Sequence, residues 1–261
     1  MRKIIIIFCS ILILTGCNRN NDSVHNTPII SSRGTLKEMK TLSDITNLIF
    51  GTNFSAIYCS SNYNVIPNAK HPDINYNIYG YVKNASGNHD YNFTIGTESR
   101  HATLNASTNK YQFSSTTSQI TGNNDSWLFG GTSQFKLTDN GQNVYADQIT
   151  VPKDLIMSKI DISKGRGNII VNWTPDPSNS VGIVASVSAY ADDNSYVDRA
   201  YDLYSDASGT HDISSLIAKF PNQKKFTVHL YKGAYYQLTD NGGNLYNLIV
   251  FSDRHQFLVF N

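Results

Sequence analysis

The densest group of chemistry-bearing side chains lies between Ala191 and Asp206, where five carboxylates and three tyrosines fall within sixteen residues. Carboxylate oxygens beside an asparagine, here Asn194, are the ligands Ca²⁺ takes, and exposed tyrosine rings offer flat apolar faces to sugars. The spacing and terminal glutamate of an EF-hand are absent, and an acidic segment between strands is commonly just a solvated face. Asp192, Asp193, Tyr196, Asp198, Tyr201 and Asp202 are therefore candidates for a ligand surface, with no ion assigned to them. Tyr231 and Tyr235 are the second group, together with Tyr236, around Lys232-Gly233-Ala234; Trp127 and Phe129 precede the matching position in the first half. Aromatic rings near turns can make a carbohydrate platform, although packing in a core is the simpler use of them.

Nothing else has the spacing of a reactive centre. The chain lacks G-x-S-x-G, H-E-x-x-H, C-x-x-C and a Walker loop, and its seven histidines (25, 71, 89, 101, 211, 229, 255) show no paired metal-ligand spacing. No catalytic residue, metal or cofactor is expected. An enzyme is the minority reading, kept open because the carboxylate pair of a glycosidase leaves no local signature. The net charge of +1 includes Arg2 and Lys3; without them 19 basic residues face 20 acidic ones, and no Lys/Arg block occurs. A nucleic-acid partner is excluded on that ground.

The elements that would hold these groups are mostly strands. Thr35-Leu36-Lys37-Glu38 has the spacing of a capping box, and Leu36, Met39, Leu42, Ile45, Leu48 and Ile49 recur at helical intervals, which predicts one short amphipathic helix over 35–50. From Phe54 onward, short alternating apolar and polar runs with turn signals between them predict strands, among them 76–82, 168–173, 183–190 and 226–231.

An internal echo suggests the architecture. Leu137-Thr138-Asp139-Asn140-Gly141-Gln142-Asn143-Val144-Tyr145 returns as Leu238-Thr239-Asp240-Asn241-Gly242-Gly243-Asn244-Leu245-Tyr246. Asn-Gly favours a two-residue hairpin turn because both residues accept positive φ, so each copy predicts a hairpin pairing Leu137 with Val144 and Leu238 with Leu245. In that reading the aspartates are dispensable and the glycines are not. The expected organisation is all-β: two tandem sandwich domains over 51–152 and 153–261, joined near Val151-Pro152-Lys153.

Gly167 to Pro175, with Trp173 near its end, followed by the apolar run Ile183 to Tyr190, resembles the B and C strands of a fibronectin type III or related immunoglobulin-like module. The resemblance covers about a quarter of the second half and implies an immunoglobulin-like sandwich there. Trp173 shares a strand face with Ile169 and Val171, which assigns it to the core.

Met1-Arg2-Lys3, the apolar block Ile4 to Leu14, and Leu14-Thr15-Gly16-Cys17 resemble the signal peptide and lipobox of a bacterial lipoprotein. The apolar block is too short to span a bilayer, which takes roughly twenty residues, and fits a cleaved segment over 1–16. The resemblance implies lipid, including palmitate, on Cys17, a membrane attachment through it, and a polar tether over 17–34. Asn18 is not the aspartate that retains enterobacterial lipoproteins in the inner membrane, so the outer membrane is expected. With Cys9 and Cys17 so used, Cys59 alone remains in the body, and its apolar surroundings predict a buried, inert thiol. A lipid-anchored, non-enzymatic envelope protein that binds a protein or a glycan is the expected function; a glycan-active enzyme or accessory sugar-binding lipoprotein is the alternative.

Overall fold

The computed structural model describes residues 34–51, 55–64, 74–83, 88–96, 98–120 and 129–261. The expected signal segment, Cys17, the expected tether up to residue 33 and Trp127 lie outside them. The first described residues differ from expectation. Gly34–Glu38 is a strand, β1, and the helix α1 spans Leu42–Phe50. The Thr35-x-x-Glu38 spacing starts no helix because Leu36 sits opposite Leu238 in an antiparallel pairing and packs against an apolar core. The true N-cap is Thr41, whose Oγ1 accepts from the amide of Asp44 at 3.1 Å. Ile45 and Leu48 form the buried stripe of α1.

The remaining strands are β2 (Ser55–Asn64), β3 (Ile74–Lys83), β4 (Tyr91–Ile95), β5 (Glu98–Asn105), β6 (Lys110–Ile120), β7 (Gly131–Asp139) and β8 (Gln142–Val151) in the first half. The second half holds β9 (Ile170–Asn172), β10 (Ile183–Tyr190), β11 (Tyr196–Tyr204), β12 (Thr210–Asp212), a one-turn helix α2 (Ser214–Ile217), β13 (Lys225–Asp240) and β14 (Leu245–Val259). The protein is all-β in class. Among the described residues, twelve strands join one sheet in the order β11-β10-β13-β14-β2-β3-β6-β5-β4-β7-β8, with β1 on β13.

That order runs across residue 152. The expected junction there does not divide the sheet, since β14 of the second half pairs in parallel with β2 of the first, and Ser32–Asn261 forms one compact unit. The physical reason is the length of the β13–β14 hairpin. Its strands have 16 and 15 residues, about 50 Å at roughly 3.3 Å per residue. The base of the hairpin supplies Phe226, Val228, Leu230 and Leu258 to a core built from residues 155–260. Its tip supplies Ala234, Tyr236, Leu238, Tyr246, Leu248 and Val250 to the core of the first half. One hairpin is common to both of these cores, and a third buried cluster, under α1, also takes residues from it.

The second core has the layout of an immunoglobulin-like sandwich. β9 pairs with β12, Trp173 bridges to Met157, and β11-β10-β13-β14 faces them as a sheet of C′-C-F-G type. Trp173 is buried, and its indole N–H donates to the Asp206 carboxylate at 2.9 Å. Cys59 is fully buried, and burial pushes its thiol pKa up, which keeps it protonated and inert.

The two copies of the repeated motif meet. Asp139, Asn140, Gln142, Asn143 and Val144 line one shallow cleft together with Asp240, Asn241 and Gly242. Copy one makes the expected two-residue turn, with Asn140 at φ 49° and Gly141 at φ 72°. A bulge then pairs Leu137 with Tyr145 instead of Val144. Copy two departs further: β13 ends at Asp240 and β14 begins at Leu245, so four residues form the loop, and Leu238 pairs with Tyr246. Gly243 adopts φ 81°, whereas Gly242 does not take positive φ. The aspartates are structural in both copies. Asp240 Oδ1 accepts from the amides of Gly242 and Asn244, each at 2.8 Å, and Asp139 accepts from the amide of Asp90 and contacts His89 Nδ1 at 2.7 Å.

Candidate functional site

Side chains alternate across a strand, so β13 and β14 present two faces. Even-numbered positions 226 to 232 and 252 to 258 point at the second core, and odd-numbered ones form the outer face. On the inner face lies a polar girdle. Lys232, buried, pairs with buried Asp206 at 2.9 Å and lies 3.9 Å from Asp176. Arg254, also buried, donates from Nε to Leu155 O (2.7 Å), from one terminal nitrogen to Ser61 O (2.7 Å), and from the other to Ser61 Oγ (2.8 Å) and Asp154 Oδ1 (2.7 Å). Burial opposes the charge on Asp176, but the Ser178 hydroxyl, the amide of Lys153 and the ammonium of Lys232 outweigh it and hold that carboxyl below its usual range. No local pattern marks this girdle, since its partners are up to 193 residues apart.

The outer face collects the four expected tyrosines, while Asp198 and Asp202 pair with the inner-face residues Ala189 and Ala185 at the sheet edge. Tyr231 and Tyr235 are not a platform: they are buried in a cluster beneath α1 with Tyr58, Ile249 and Phe251. Tyr201 lies under Phe50 of α1, ring centroids 5.1 Å apart. The expected carboxylates do not converge either. Asp193 accepts from the amide of Ser195 at 2.9 Å in the β10–β11 turn; the Ser195 hydroxyl and amide hold its carboxyl below the usual range. Lys225 ties the same turn down through Asp192 O (2.6 Å) and Asn194 Oδ1 (2.8 Å). Asp198 and Asp202 each accept from the amide of the following residue, Arg199 at 2.7 Å and Leu203 at 2.9 Å. β11 is the last strand of the sheet path, and side chains that occupy amides of such a strand, like charges along it, discourage the addition of another strand. The acidic run is thus explained by turn and edge chemistry, with Asp206 drawn into the core.

Of those residues, Tyr196 leads to a site. It is 56% exposed, and with Tyr190 and Phe257, the latter 49% exposed, it forms an aromatic row across the end of the sheet. Centroid separations are 6.3 and 6.4 Å, and successive planes turn by 75° and 58°, so the row offers both ring faces and ring edges. Val259, paired with Lys225, and Val197, next to Tyr196 where the β10–β11 register shifts, are also exposed. Arg199 is held by Ser188 Oγ at 2.7 Å, with its guanidinium 4.7 Å from the Phe50 ring centroid and 5.8 Å from that of Tyr196. Phe257 and Tyr190 were missed in the sequence because they lie 67 residues apart; only the pairing of Tyr190 with Lys225 and of Phe257 with Thr227 brings them together.

Next to the row, the same face carries His229, Asp253 and His255. His229 and His255 are directly opposed across the strands, their rings 5.0 Å apart at 28°. His229 Nδ1 lies 2.9 Å from Asp253 Oδ1, and His255 Nδ1 lies 3.9 Å from the same oxygen. Burial holds the His255 imidazole below the ordinary histidine pKa, favouring its neutral form.

No family model matches the chain, and no curated protein matches it. Among solved structures, the chain is similar to a tetra-tandem repeat in the extending region of a large adhesion protein, with 17% identity and a TM-score of 0.19. The match covers 76% of this chain and 49% of that one, so this chain spans about half its length. A likeness this slight bears on neither the site nor its ligand.

Proposed function

We propose that this is a lipid-anchored, non-enzymatic binding protein of the bacterial envelope, attached through Cys17, whose outer sheet face receives a glycan. The exposed Tyr196–Tyr190–Phe257 row carries the reading. Aromatic rings present apolar faces that match the C–H faces of sugars, and the polar groups beside them, Arg199, Lys225 and Asn194, suit hydroxyls. Two features favour recognition over hydrolysis and over strand addition. Asp193, Asp198 and Asp202, three of the four carboxylates between Asp192 and Asp202, are committed to backbone amides, and those on β11 guard the edge that a protein strand would join. The lipobox at Leu14–Cys17 supports the anchor, and the residue after Cys17 supports the outer membrane.

Two measurements test this. A fatty-acid analogue fed to cells should label the wild type and leave Cys17→Ser unlabelled; equal labelling rejects the anchor. A glycan array probed with the soluble chain from Asn18 should show binding that Tyr196→Ala removes. Capture of an envelope protein by the same fragment, with a blank array, would reject the glycan reading.

A further inference from the structure

We infer that His229, Asp253 and His255 form a site for a divalent transition-metal ion of the zinc class on the outer sheet face. One ligand atom from each of the three residues lies within 4.8 Å of the others, and among the described residues no other three His, Cys, Asp or Glu side chains converge in this way. In a tetrahedral zinc site, bonds of about 2.1 Å place neighbouring ligand atoms about 3.4 Å apart. The two distances to Asp253 Oδ1, 2.9 and 3.9 Å, straddle that value, so small side-chain rotations bring the ligands into place without moving the strands.

An ordinary histidine–aspartate hydrogen bond accounts for His229 and Asp253. It leaves His255 unexplained, because its Nδ1 is buried and has no hydrogen-bond partner among the described residues. Native proteins leave few buried polar atoms in that state, and a cation placed between the three side chains would supply the partner. Two imidazoles and one carboxylate suit zinc, cobalt, nickel or copper and disfavour calcium and magnesium, which take oxygen ligands. The site is also braced: the Tyr231 ring stacks on His229 at 5.5 Å and 4°. Ser186, the residue paired with His229 on β10, has a buried hydroxyl without a partner among the described residues, available to a water or anion in the ion's fourth position. The inference is independent of what binds the aromatic row.

The full-length protein in detergent, stripped with a chelator, is titrated with Zn²⁺ by calorimetry and with Co²⁺ by visible absorption. One equivalent of Zn²⁺ should bind and raise the melting temperature, Co²⁺ should give the intense d–d bands of a tetrahedral site, and Mg²⁺ or Ca²⁺ should do neither. His229→Gln and His255→Gln should each weaken binding by more than the roughly 10–100-fold that loss of a mere outer-shell partner costs, while His101→Gln, on an exposed site of the first half, leaves it unchanged. Circular dichroism of each variant separates loss of the ion from loss of the fold. If one histidine variant fails to fold, the other decides. Absence of saturable 1:1 binding in the wild type, or binding that survives in the folded histidine variants, would overturn the inference.

Discussion

Arg254 lies between Asp253 and His255 in sequence, yet the three residues belong to two different chemical worlds. On the inner face, Arg254 is enclosed by Ser61, Asp154 and Leu155, and Lys232 by Asp206 and Asp176. On the outer face, His255 Nδ1 and Ser186 Oγ are buried without partners among the described residues, and the neighbouring aromatic row is open. The inner groups satisfy one another and hold the two cores on one hairpin. The outer groups leave valences for something else. A polar cluster is assigned a role by counting which of its hydrogen-bonding positions are filled, and burial alone does not make that distinction.

The largest expected effect comes from breaking the closed side. Arg254→Met should cost about 3 kcal/mol in urea unfolding, the lower end for loss of one partner of a buried pair, because Asp154 keeps some access to solvent. Since the hairpin is common to both cores, the described body should unfold in one transition. Two separate transitions would contradict the shared-sheet architecture, as would limited proteolysis that leaves two resistant fragments divided at residue 152.

A smaller effect is expected at the paired turns. Asp240→Ala removes an acceptor used by the amides of Gly242 and Asn244 and by the side chains of Asn244 and Tyr246, and should lower stability by about 1–2 kcal/mol. Gly243→Ala should cost about 1 kcal/mol: its φ of 81° is the sole obstacle, as an added Cβ meets nothing within 4 Å. Gln142 occupies the matching place in copy one, so Gly243→Gln should push copy two towards the two-residue turn of copy one. Altered chemical shifts confined to Asp240–Leu245 would show it.

Acid sharpens the contrast further. The folded pKa of Asp176 is held below its ordinary value of 3.8. Its contribution is therefore fully present above about pH 4 and is lost as the pH falls through the folded value. Asp176→Asn should be less stable at neutral pH and show a shallower decline below pH 4; an unchanged acid slope would place that contribution elsewhere.

Much of this was legible from spacing and some of it was not. Strand period two located 183–190 and a strand within 168–173, which is only Ile170–Asn172 in the structure, and the position of Trp173 in the core followed from the same rule. The helix was recognised, but its start was misplaced because Thr35-x-x-Glu38 and Thr41-x-x-Asp44 are both capping patterns, and only the contact of Leu36 with Leu238 chooses between them. The twin Asn-Gly signal found both hairpins yet missed the four-residue loop, since the residue that permits it, Gly243, follows the motif. Tyr231 and Tyr235 sit on the outer face at the odd positions of β13, as alternation requires, but α1 covers them. The row, the girdle and the histidine pair all depend on long-range register, which no local pattern contains.

The outer face being open for a ligand is tested most directly by titrating the strongest glycan from an array against wild type, Tyr196→Ala and Phe257→Ala, with melting temperatures recorded in parallel. Both residues are about half exposed, so their removal should leave the melting temperature nearly unchanged while weakening binding about tenfold or more, or about 1.4 kcal/mol each. Affinity that survives both substitutions in stably folded protein would contradict the assignment of this face as the binding surface.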